Sequence, residues 1–145
     1  MNSPRRDALA VFMDVVEEGA YANLRLKEVR RTPSELAFVT SLVYTALEHL
    51  QWVDFMLSLY VKPQKKVVRN ILRLGVAELF FMDIPDHAAV NGAVELSREC
   101  GKGALSGLVN GVLRRMLRDR DCLPLLPDDP VLRLSIQFNC PEWVV

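Results

Sequence analysis

The sequence predicts an all-α domain, and three observations carry that prediction. Half of its 145 residues are hydrophobic and only 8% aromatic, with Leu, Val and Ala dominant, a composition that suits helices better than Thr- and aromatic-rich strands. The apolar residues recur at helical spacing, and the breaks between them are short and marked by Gly or Pro. A chain of this length buries about 68 to 70% of its unfolded surface, enough for one core.

The elements follow in order. Ala8, Leu9, Phe12, Val15 and Val16 keep helical spacing and stop at Gly19, so a first amphipathic helix covers roughly residues 5 to 18. Pro33 and Ser34 open a long pattern through LAFVTSLVYTALEHLQWVDFMLSLYV, two helices or one bent one, stopped before Pro63. A third pattern runs from about Lys65 to Met82 and ends at the Asp83 to Pro85 stretch. Asp86 is placed to cap a fourth, roughly His87 to Cys100, closed by Gly101. The fifth covers about Ala104 to Arg120. The three prolines of CLPLLPDDP mark a loop, with Asp129 as N-cap and Pro130 at the first position of a short helix. The last residues, CPEWVV, put Pro141 where a helix starts and then stop after barely a turn of apolar residues. That pattern leads us to expect that these residues are part of a longer protein.

Charge is balanced in sum and polarised in sequence. The chain carries 18 basic and 18 acidic residues. From Lys62 to Gly75, however, there are five basic residues (Lys62, Lys65, Lys66, Arg69, Arg73) and no acidic one. From Gly101 to Arg120 there are five basic (Lys102, Arg114, Arg115, Arg118, Arg120) against Asp119 alone. Seven acids fall between Ala8 and Tyr60. At about 100° per residue, Lys65, Lys66, Arg69 and Arg73 form one stripe on the third helix. On the fifth, Leu105, Leu108, Val109, Val112, Leu113 and Met116 share a face, with Arg114, Arg115 and Arg118 opposite. Gly107 and Gly111 fall among those arginines, each costing about 1 kcal/mol relative to Ala, which suggests close approach by another helix or a phosphate strand. The plainer reading is that cations near a helix C-terminus complement its dipole and keep the surface solvated. Two stripes together with Arg5 and Arg6 favour RNA, because several separated basic clusters gain from counterion release.

No constellation for catalysis is visible. Cys100, Cys122 and Cys140 form no CxxC pair and read as reduced, structural thiols, while His49 and His87 lack metal-ligand spacing and read as structural too. The glycines of ECGKGALSG lack both the preceding strand and the spacing of a nucleotide loop. Glu17 and Glu18 read as the solvated end of the first helix. Asn91 and Asn110, each in a V-N-G triplet, read as partly buried amides that tie loops or helix ends together. The N-terminus has acidic residues soon after a short apolar run and no cleavage site, and no apolar run approaches the roughly 20 residues of a membrane span. The expectation is a cytoplasmic chain that binds and does not catalyse.

The runs RRDALAVFMDVVEEGAYANL, ILRLGVAELFFM and IPDHAAVNGAVELSRECGKGALSGLVNGVLRRML together resemble the NusB-like RNA-binding fold. VNGVLRR and PEWVV are similar to the N-terminal domain of the bacterial RsmB/Sun methyltransferases, which modify carbon 5 of a cytosine in small-subunit ribosomal RNA. The resemblance implies a bundle of two three-helix subdomains, with residues 1–125 as the RNA-binding domain and 126–145 as the linker to a methyltransferase domain. It also implies small-subunit ribosomal RNA and that methyltransferase domain as partners, and S-adenosylmethionine as the cofactor of that other domain, none in this chain. No catalytic residue carries over. Arg5 and Arg6 match the arginine-bearing start of the first helix, and Arg114 and Arg115 the arginines after VNGVL. The chain departs from the family pattern at Asn139 and Cys140, where a serine and a histidine are common, and at Thr45 and Glu48 after LVY. The alternative that the same resemblance implies is a stand-alone transcription antitermination factor or protein-interaction module.

Overall fold

The computed structural model describes residues 3–122. Among the described residues the chain forms seven α-helices and two 3-10 turns, with no strand. Local signals set most of the boundaries. Helix α1 (Pro4–Glu18) has Pro4 in its first turn, the Ser3 side chain accepting from the Arg6 N–H as N-cap, and Gly19 in the left-handed region at φ 74° as its stop. A short α2 follows (Ala22–Leu26). Helix α3 (Pro33–Glu48) opens with a capping box in which Thr32 and Glu35 bond reciprocally. The long central pattern resolves as two helices, because at His49 (φ −106°, ψ 18°) the backbone leaves the helical region before α4 (Leu50–Ser58). The His49 ring stacks on Phe81 with centroids 3.7 Å apart, a structural use of that histidine.

Helix α5 (Lys66–Phe81) is the hub, with most of its length from Val68 to Leu79 buried. Helix α6 (Asp86–Glu99) gives way at Gly101, where φ is 73°. Helix α7 (Ser106–Arg118) lies between 3-10 turns at Gly103–Leu105 and Arg120–Cys122. Helices α1, α2 and α3 pack as one triad and α5, α6 and α7 as another, while α4 lies along α5; α1 and α3 also rest on α5. The two three-helix groups that the resemblance implies are therefore present, with α4 as a seventh helix. They share one continuous core, in which Phe12, Leu42, Trp52, Ile71, Leu74 and Leu113 are fully buried. Each such side chain contributes about 1.5–3 kcal/mol by leaving water. The α5–α7 crossing is close at Gly75, where an added Cβ would lie 2.9 Å from Leu113 Cδ1.

Three details differ from the sequence reading. Helix α2 was not expected: five residues with no side-chain cap are too short for a periodic signal. Asp86 does not cap α6; Pro85 holds the N-cap position, and the Asp86 carboxylate instead pairs with Arg120 at 2.9 Å. The fifth pattern, expected over Ala104 to Arg120, is α-helical only over Ser106–Arg118. The N-cap at Asp129, the helix starts at Pro130 and Pro141, and the linker over 126–145 lie outside the described residues.

Candidate nucleic-acid interface

Arg5 and Arg6 sit on the first turn of α1, where the helix meets the end of α6. Ser3 anchors that corner, its N–H and hydroxyl each donating to the Glu99 carboxylate at 2.7 Å. Arg6 Nη1 donates to the Glu99 carbonyl at 2.7 Å, satisfying one of the last carbonyls of α6. Arg5 points inward. Its guanidinium grips Glu78 in a bidentate pair (2.9 and 2.6 Å) and lies 5.1 Å from the centre of the Phe38 ring. Glu78 is only 1% exposed; burial pushes its carboxyl up, and Arg5 opposes that push.

The stripe on α5 is matched by acids from other helices. Arg69 donates to Glu17 at 2.8 Å, and Arg73 makes a bidentate pair with Asp54 at 2.8 and 2.9 Å. Between them the buried Asn70 amide donates to Glu17 and to the Lys66 carbonyl while its oxygen accepts from Arg73. Glu17 is thus the end of an interhelix network and not a solvated residue as its sequence position suggested; Glu18 is exposed. The hydrogen bond from Arg69, then that from Asn70, holds the Glu17 carboxyl below its usual range. Of this stripe, Lys65 and Lys66 remain exposed at the start of α5, Lys66 lying 3.9 Å from Glu18.

Arg114, Arg115 and Arg118 are all exposed on the last turns of α7. Arg114 donates to Asn110 one turn back at 2.9 Å; Arg115 donates to the Tyr60 carbonyl at 3.3 Å and lies over the Tyr60 ring at 5.3 Å; Arg118 lies 3.6 Å from Asp119. The Tyr60 hydroxyl donates to Asp119 at 2.8 Å, and burial, followed by that bond, pushes its phenol up. Tyr60 also lines a cleft of about 610 Å³ between α4 and α5, together with Lys62, Arg69 and Arg73. The two basic segments, separate in sequence, therefore meet around Tyr60. Arg6 lies apart from them, at the α6 end from which the chain turns into α7; the 13 residues of α7, rising about 1.5 Å from each to the next, put about 18 Å between its ends.

The glycines and asparagines on this side behave differently from expectation. Nothing lies within 4 Å of a Cβ added at Gly107 or Gly111, so no described residue approaches that backbone. Asn91 is exposed and Asn110 bonds within its own helix, so neither ties elements together. The buried asparagine is Asn70, missed because its triplet RNI carries no local signal. Cys100 is a free, partly buried thiol, consistent with a structural role. No group of three or more potential metal ligands occurs among the described residues, and no helix there is long and apolar enough to cross a membrane.

An all-helical double triad with cations gathered at the start of α5 and the end of α7 defines the class: a helical domain of NusB-like architecture. The comparisons agree. The NusB family model matches residues 2–118, and the chain belongs to the NusB family. It is 34% identical to the probable ribosomal RNA small subunit methyltransferase B of Bacillus subtilis over 99% of this chain and 34% of that protein. With the protein of the same name from Synechocystis it shares 27% identity over 100% of this chain and 34% of that protein. With the transcription antitermination protein NusB of Desulforamulus reducens it shares 32% identity over 81% of this chain and 89% of that protein. The chain spans about a third of the length of the methyltransferase relatives it matches, and corresponds to their N-terminal part.

Proposed function

We propose that this chain is the RNA-recognition part of a small-subunit ribosomal RNA cytosine-5 methyltransferase. One observation carries the reading. The methyltransferase relatives align over 99 to 100% of the chain, thus including residues after 118 where the NusB family model ends, whereas the antitermination protein covers 81%. In this reading the exposed cations Lys65, Lys66, Arg114, Arg115 and Arg118 face phosphates, and Arg6 adds a second contact region at the far end of α7. Arg5, Arg69 and Arg73 hold the helices in register through Glu78, Glu17 and Asp54, so their charge is largely matched within the fold. Methyl transfer from S-adenosylmethionine would be the work of the methyltransferase domain that this reading implies; among the described residues no strand-to-glycine turn offers that cofactor a cradle. The setting is the cytoplasm, where ribosomal RNA is modified.

The test is binding of the chain to a small-subunit ribosomal RNA fragment, followed by fluorescence anisotropy over a range of salt concentrations. Affinity that falls steeply with salt is expected; salt-insensitive binding, or none at low salt, would sink the reading. A second reading, a stand-alone antitermination factor, is favoured by the 89% coverage of the Desulforamulus reducens protein. Tighter binding to a transcript leader than to ribosomal RNA would select it.

A further inference from the structure

The cleft between α4 and α5 has a form that phosphate contacts alone do not use. Its lining includes the apolar side chains of Leu57, Val61 and Leu72, together with Tyr60. Lys62, exposed, supplies a cation in the same lining. Arg69, which also lines the cleft, is held by Glu17 at 2.8 Å. Helix α5 begins at the rim, since Gln64 and Arg69 on either side of its first turn both line the cleft, and that helix start has no side-chain cap. Its first N–H groups and Lys65 add positive potential there. Asp54, the acidic residue in the wall, is neutralised by its bidentate pair with Arg73.

We propose that this cleft takes one unstacked base of the bound RNA, with the adjoining phosphate at Lys62, Lys65 and the first turn of α5. The inference rests on the RNA reading above. A nucleotide joins a flat, apolar-faced ring to an anion one unit away, which is the juxtaposition the cleft presents: apolar side chains with Tyr60 in its lining, and cations at its rim. The volume of about 610 Å³ lies within the range of small-ligand sites. A protein segment would need an acidic side chain placed beside an apolar one to satisfy the same groups. The cleft also adjoins Arg115 through Tyr60, so a strand leaving it would run toward the α7 arginines.

The test uses the 145-residue chain and a labelled single-stranded oligoribonucleotide of about ten nucleotides, intact or with abasic positions. Ser58 and Gln64 both line the cleft without belonging to its charge network, so Ser58→Trp and, as an independent variant, Gln64→Trp fill it. Affinity for the intact strand is expected to fall about tenfold, the scale of one stacked base, with the dependence on salt unchanged because no phosphate contact is lost. The wild-type chain should bind the abasic strand about tenfold more weakly, and the filled variants should not distinguish the two strands. Circular dichroism melting reports that each variant is folded. Wild-type affinity in both folded variants, with steep salt dependence intact, overturns the base site while leaving the RNA reading standing, and hands the cleft to a protein segment. A flattened salt dependence in the filled variants overturns the assignment of base and phosphate positions. Failure of the wild-type chain to bind any RNA at low salt removes the RNA reading and this inference together.

Discussion

Gly92 decides whether the Arg5–Glu78 pair can exist. A Cβ there would lie 2.4 Å from Arg5 Cζ and Nε, and although the clash is with the end of a long side chain, that end is fixed by two bonds to a buried carboxylate. Gly92→Ala is therefore expected to destabilise by about 1–3 kcal/mol, the usual cost of overpacking, measured as a shift of the urea midpoint. Removing the cation altogether should cost more. Arg5→Ala leaves Glu78 buried and unpaired, a loss of about 3–5 kcal/mol. Its pH dependence has a definite sign. Glu78 already titrates above its ordinary value because of burial, and without Arg5 it rises further. The folded variant then holds a proton that the unfolded chain has released, so its stability falls as pH rises from the ordinary carboxylate value through the raised one. Urea unfolding of wild type and Arg5→Ala at acidic and neutral pH should show the penalty shrinking on the acidic side. A constant penalty would mean that Glu78 does not carry it.

Among the helices, two kinds of glycine predict opposite signs. Gly75 is buried where α5 meets Leu113 of α7, so Gly75→Ala must push that leucine and is expected to destabilise. Gly107 and Gly111 face open space, so alanine at either should stabilise the free chain by up to about 1 kcal/mol. If RNA or a partner lies against that face, Gly111→Ala raises the melting temperature while weakening binding. The α1–α5 junction adds a pH-dependent contribution. Arg69 and Asn70 hold Glu17 below its usual range, so their stabilisation is complete above the ordinary carboxylate value and is lost as pH falls through the lowered one. Glu17→Gln should accordingly be less stable than wild type at neutral pH and converge with it in acid. The helices themselves were legible because their signals are local: Gly19 and Gly101 in left-handed turns, Pro4 and Pro33 at helix starts, Thr32 with Glu35. The candidate site was legible only as a set of cations. Glu17 is 52 residues from Arg69 and Glu78 is 73 from Arg5, and nothing in the spacing of a one-dimensional chain states which helix faces will meet. The acids counted as lying elsewhere in sequence were carried by the fold to the stripe itself.

At the scale of the whole molecule, that pairing changes what a charge-removal experiment should show. Nine cations were read from sequence as one RNA-facing population: Arg5, Arg6, Lys65, Lys66, Arg69, Arg73, Arg114, Arg115 and Arg118. Folding divides them. A cation already held by a carboxylate releases few counterions when RNA binds, since the phosphate must compete with an existing partner, whereas an exposed cation contributes close to a full unit to the salt dependence of affinity. Removing Arg114, Arg115 or Arg118 should each weaken RNA binding and flatten the slope of log affinity against log salt by about one unit, with little change in melting temperature. Arg73→Gln should do the reverse. It leaves Asp54 without its bidentate partner and Asn70 without its donor, lowering stability while the slope in the folded fraction stays near wild type. Measuring both quantities for the same four variants checks the division. If Arg73→Gln flattens the slope as much as Arg118→Gln, the α5 network opens when RNA binds, and the carboxylates that now hold it are competitors that the RNA displaces.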